Sequence, residues 1–74
     1  MKKIMKNELP NVLKQLRTEN NLTQSQIAKE INISQRAYAF YEKGERDPSI
    51  ETLIKLADYY KVPLDILVGR YKKT

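Results

Sequence analysis

Apolar residues recur along this chain at helical spacing. Leu9, Val12, Leu13 and Leu16 follow the i, i+3, i+4, i+7 pattern of one buried stripe. Ile27, Ala28 and Ile31 share one face of a second segment; Tyr38 and Tyr41, with Ala37 beside them, share one face of a third. Leu53, Leu56, Ala57 and Tyr60 form a fourth stripe, with Ile50 and Ile54 at its edges. Residues 64–68 suit one last short helix, stopped by Gly69, with Leu64 and Leu67 turned inward. No strand alternation, internal repeat or linker interrupts the series. The pattern predicts an all-α fold of five helices in one compact domain over residues 7–69.

The polar residues between these stripes mark where the helices start and stop. Asn7 is placed to cap the first helix, with Pro10 in its first turn, where no intrahelical N–H partner is lost. Asn20 and Asn21 favour a left-handed stop. Thr23 and Gln26 form a capping box, flanked by Leu22 and Ile27 as a hydrophobic staple. Ser34 caps the third helix, with Ile33 and Tyr38 as its staple. Only Asn32 and Ile33 separate the second and third helices, and Asn tolerates the left-handed conformation that a tight corner needs. Two helices joined so closely cross steeply, with their apolar residues inside the angle. Gly44 ends the third helix, Ser49 caps the fourth with Glu51 in its first turn, and Lys61 suits its C-terminal dipole before Val62 and Pro63 break it.

The outer face of the third helix carries Gln35, Arg36, Ala39, Phe40 and Lys43. It is polar and basic at its start, as expected of a helix presented to the DNA major groove. Gln can bond adenine N6 and N7 together, and Arg can fork onto guanine O6 and N7. The plainer role for Arg36 is a phosphate contact, which binds without reading. Phe40 lies off the core stripe; it either touches a thymine methyl group or packs against the loop that follows. Ala39 either touches a methyl group or leaves room. Lys43 and Arg46 are candidates for phosphate contacts, against a dipole role for Lys43.

In these residues the chain resembles the Xre family, whose fold is that of phage lambda repressor and Cro. The resemblance runs over residues 22–69, preceded by LKQLR at residues 13–17, and covers most of the chain. Its motifs are LTQ, Ala28 at the fifth helix-turn-helix position, YEKG, DPS and the closing LDILVG. Asn32 stands where many such motifs carry Gly, and Pro63 where relatives often carry a capping Ser. The resemblance implies a lambda-repressor-like domain whose third helix reads bases through Gln35 and Arg36. It further implies a phosphate contact from Gln24 and a structural ion pair between Arg17 and Glu42. Family members often dimerise through the C-terminal region, which points to Ile66, Val68 and Tyr71 as the dimer interface, against packing under the first helix.

Composition narrows the function further. The chain has 74 residues and no Cys or His, which excludes disulfides and a Cys/His zinc site and removes the commonest general base. With only two Gly and no nucleophile–base arrangement, no phosphate-binding Gly loop is written in it, and no catalytic residue, cofactor or metal is expected. No apolar run is long enough for a membrane span, so a cytoplasmic, nucleoid-associated protein is expected. The formal charge of +5 comes from the ends, a basic N-terminal tail at residues 1–6 and a basic C-terminal tail at residues 70–74. Residues 7–69 hold eight basic and nine acidic side chains, so net charge alone does not mark a DNA-binding face.

The expectation is sequence-specific binding of double-stranded DNA by a small bacterial or phage transcription regulator, a homodimer on a palindromic operator. A chain of this length leaves no room for a separate ligand-binding domain, so regulation would come from occupying the operator or touching RNA polymerase. Two other functions fit the same fold: the antitoxin of a toxin–antitoxin pair, and a protein-interaction adaptor. The adaptor would lack base-reading side chains, and Gln35 and Arg36 stand against it.

Overall fold

The computed structural model describes residues 8–67. They form α1 (Leu9–Glu19), α2 (Gln24–Glu30), α3 (Gln35–Lys43), α4 (Ile50–Tyr60) and α5 (Leu64–Leu67), and no strand. Among these residues no helix is long and apolar enough to cross a membrane.

The helix starts follow their caps. The Thr23 hydroxyl accepts from Gln26 N at 3.0 Å, and Gln26 Oε1 accepts from Thr23 N at 2.8 Å, so both arms of the capping box close. The Ser34 hydroxyl accepts from Ala37 N, and that of Ser49 from Thr52 N. Glu8 stands at the N-cap of α1 and makes no side-chain cap bond; the expected cap, Asn7, lies outside the described residues. Pro10 sits in its first turn, as expected.

The ends of α1, α2, α3 and α4 share one construction. Asn21, Asn32, Gly44 and Lys61 take φ of 58°, 62°, 77° and 59°, the left-handed region. In each case that residue's N–H bonds the carbonyl three residues back, and the next N–H reaches five residues back. These longer bonds are Leu22 N to Arg17 O, Ile33 N to Ala28 O, Glu45 N to Phe40 O and Val62 N to Ala57 O, all between 2.9 and 3.1 Å. This is the Schellman arrangement, which satisfies carbonyls that a helix end would otherwise leave bare. At three of the four ends the residue after the left-handed one is apolar, and Leu22, Ile33 and Val62 all pack against the core. Of the two Asn residues expected to stop α1, only Asn21 turns left-handed; Asn20 instead donates its side-chain amide to Leu16 O at 2.8 Å.

The core is built from the expected stripes. Leu9 and Leu13 of α1, Ile27, Ala28 and Ile31, Tyr38 of α3, Leu53, Leu56 and Ala57 of α4, and Leu67 of α5 form one buried cluster. α3 packs on α1 and α2, while α5 packs on α4 and α1, so α1 ties the two halves together. Pro48 is buried as well, which the apolar spacing did not indicate. Three positions depart from expectation. Leu64 is exposed, because α5 is a single turn with one inward position, and Leu67 takes it. Ile50 and Ile54, expected at the edges of the α4 stripe, are largely exposed, at 65% and 46%.

Candidate nucleic-acid interface

α3 is held by its inner and C-terminal side and presents its outer side. Tyr38 is completely buried, and its hydroxyl donates to Glu42 Oε2 at 2.7 Å, one turn further on. Arg17 of α1 grips the same carboxylate twice, Nε to Oε2 at 2.6 Å and Nη2 to Oε1 at 3.1 Å. Its Nη1 donates to Leu22 O, tying the α1–α2 corner into the same contact. Gln24, first residue of α2, donates its amide to Glu42 Oε1 at 3.0 Å. One carboxylate therefore receives α1, α2 and α3 together. The expected Arg17–Glu42 pair is formed and nearly dry, with side chains 15% and 5% exposed.

Electrostatics agree with that geometry. Burial pushes the Glu42 carboxyl up, but donation from Arg17, Tyr38 and Gln24 outweighs it and leaves the pKa below the ordinary range. The hydrogen bond to Glu42 raises the already high pKa of Arg17. Burial, and then the bond to Glu42, raise that of Tyr38 well above the usual phenol range. Tyr60 lies edge-on to Tyr59, ring centroids 5.2 Å apart, and burial first, with Tyr59 second, pushes its pKa up to about 12. Its buried hydroxyl makes no hydrogen bond among the described residues.

On the outer side, Gln35 and Arg36 are exposed in the first turn of α3, and Lys43 is exposed in its last. Ala39 and Phe40 between them are half-buried. Arg46, exposed in the loop after α3, returns to this side with its guanidinium carbon 5.0 Å from the Phe40 ring centroid; that of Arg36 stands at 6.0 Å. The structure thus gathers Arg36, Phe40 and Arg46, and sets Gln24 apart with Glu42. Ile66 is half-buried on α5; Val68, Tyr71 and the Gly69 stop lie outside the described residues.

The Tyr38 and Gln24 bonds to Glu42 were missed in the sequence. The four-residue spacing of Tyr38 and Glu42 on one helix could have suggested the first. Nothing local indicates the second, which crosses from one helix to another.

A helix-turn-helix family model matches residues 13–67. The chain is similar to the cryptic phage CTXphi transcriptional repressor RstR of Vibrio cholerae, 41% identical over 57 residues that cover 77% of this chain and 51% of the relative. It spans about half the length of the first curated relatives it matches. Among solved structures, a transcriptional regulator from Listeria innocua superposes with a TM-score of 0.84 at 36% identity, covering 95% of this chain and 65% of that one. The P22 c2 repressor, solved in complex with a synthetic operator, superposes with a TM-score of 0.78 over 90% of this chain and 100% of that one. At 19% identity that likeness is one of fold.

Proposed function

Because the chain belongs to the helix-turn-helix family of transcription regulators, we propose that it binds double-stranded DNA sequence-specifically, with α3 in the major groove. The observation that carries this reading is the anchoring of α3. Its inner side is fixed to α1 and α2 through Glu42, and its N-terminal turn leaves Gln35 and Arg36 exposed. A helix held this way presents base-reading side chains at a set angle, which a flexible one could not. Gln35 and Arg36 read base edges, with Ala39 and Phe40 beside them. Lys43 and Arg46 contact phosphates, and Gln24, whose amide already donates to Glu42, has one N–H left for the DNA backbone at the start of α2.

One such domain covers only a few base pairs, so the working unit is a homodimer on a palindromic operator, joined through Ile66, Val68 and Tyr71. It acts on the bacterial nucleoid, either by occupying the operator or by touching RNA polymerase. Selection of bound sequences from a random duplex pool tests the reading. A two-fold consensus with half-sites about one helical turn apart is expected. Recovery of unrelated sequences would remove specific DNA reading, and a single unpaired half-site would remove the dimer.

A further inference from the structure

We propose that Phe40 is a positioning residue for DNA reading, its ring holding the Arg36 and Arg46 guanidinium groups in place before the duplex arrives. The inference rests on α3 facing DNA, as proposed above, and gives Phe40 a role that needs no contact with a base.

The arrangement follows from the chain. Arg36 and Phe40 are four residues apart on α3 and so lie on one side of it. Gly44, at φ 77°, turns the chain back, and the bond from Glu45 N to Phe40 O at 3.0 Å folds the next loop over the end of the helix. That fold brings Arg46 to the ring from a different direction along the chain. Both guanidinium carbons, at 6.0 and 5.0 Å from the centroid, stand within cation–π reach. Phe40 itself is half-buried, so its ring is partly sheltered from solvent.

Arg17 spends its donors on Glu42 and Leu22, whereas neither Arg36 nor Arg46 has an ion pair or hydrogen bond among the described residues. Glu45 and Asp47 flank Arg46 in sequence and yet do not engage it. Two guanidinium groups drawn to one ring repel each other, and the negative face of the ring offsets that repulsion. A phosphate or a guanine edge offers both groups a stronger partner, in the forked geometry they present. Ordering on the ring beforehand lowers the entropy that two long side chains lose on binding DNA.

The competing role for Phe40 is direct contact with a thymine methyl group, and the two roles fail differently. The experiment titrates wild type, Phe40→Leu, Phe40→Tyr, Arg36→Ala and the Phe40→Leu/Arg36→Ala double variant on the selected duplex, and wild type on the same duplex with uracil for thymine. Phe40→Leu should weaken binding about 3–10-fold and relax preference at the base pair that Arg36→Ala relaxes. Phe40→Tyr, which keeps the aromatic face, should retain most of the affinity. The loss from Phe40→Leu should shrink in the Arg36→Ala background, and uracil should change little. A Phe40→Leu protein that binds as wild type, a loss that persists undiminished without Arg36, or an equal loss on uracil duplex would overturn the proposal.

A measurement on the unaltered, DNA-free protein stands beside these. NMR relaxation at the Arg Nε groups should show Arg36 and Arg46 more ordered than an unstacked surface arginine; equal mobility would overturn the proposal even if Phe40→Leu does not fold. A wild type with no preference among duplexes would remove the DNA-reading premise itself. A selective wild type with an unaffected Phe40→Leu removes only the role of the ring.

Discussion

Arg17 and Glu42, in the first and third helices, meet through two hydrogen bonds of 2.6 and 3.1 Å across a nearly dry junction. The same carboxylate takes the Tyr38 hydroxyl and the Gln24 amide, so one side chain joins the third helix to the first two. Arg17→Met should lower stability by more than ~1 kcal/mol, toward the ~3–5 kcal/mol of a fully buried pair, because it strands Glu42 without its counter-charge. Urea unfolding measures this. A change within error would mean that Tyr38 and Gln24 suffice to hold the carboxylate.

Stability should also fall in acid through this group. The folded-state pKa of Glu42 lies below its unfolded value, so the contribution is complete above about pH 5 and is lost as pH drops through the folded pKa. Tyr38 and Tyr60 act at the other end. Their folded pKa values lie above the unfolded value, so their contribution holds below about pH 9 and is lost as pH rises past about 10. Urea midpoints against pH should therefore show a plateau between these limits. Glu42→Gln should lower the plateau and flatten its acid side; an unchanged acid slope would assign the loss to other carboxylates.

The left-handed residue after the fourth helix is Lys61, and lysine gains nothing from that conformation. Lys61→Gly should raise stability by ~0.5–1 kcal/mol, the relief of the Cβ clash less the extra freedom of the unfolded chain. Gly44→Ala should do the opposite. At φ 77° an added Cβ is strained, and it would stand 3.3 Å from Pro10 Cγ. Thermal melts of the two variants should bracket the wild type, and a destabilised Lys61→Gly would show that the Lys61 side chain contributes more than its backbone costs.

The two ends of the third helix should fail differently on DNA. Arg36 is exposed in the first turn, where side chains reach base edges, and Lys43 is exposed in the last, nearer the backbone. Arg36→Ala should cost ~1–3 kcal/mol on the operator and much less on unrelated duplex. Lys43→Ala should weaken both alike and reduce the salt slope by about one unit per domain. Titrations at several salt concentrations separate the two. Equal losses on both duplexes for Arg36→Ala would make it a phosphate clamp.

Much of this architecture could be read from residue types, and the exceptions have physical causes. Thr23, Ser34 and Ser49 declare helix starts because their hydroxyls compete for the first N–H groups. Asn21, Asn32 and Gly44 declare helix ends because they tolerate positive φ. Lys61 does the same work unannounced: no side-chain chemistry of lysine signals it. Leu64 was misplaced because apolar spacing gives a direction around a helix but not whether anything lies in that direction. Of the candidate interface, the outer residues of the third helix were legible from their position. The bond from Gln24 to Glu42 was not, since it depends on how two helices cross.

The repeated helix endings bear on how quickly this chain reaches its native state. Each corner closes through bonds that span three and five residues, so the reversals of direction are decided within short windows of sequence. Little of the search then depends on distant segments finding one another; what remains is docking preformed helix–corner units around the first helix. Loop closure over such short spans costs little chain entropy, and proteins dominated by near-neighbour contacts fold in microseconds to milliseconds. The slow event should be the docking of α5 on α1, the contact that joins the two ends of the described fold.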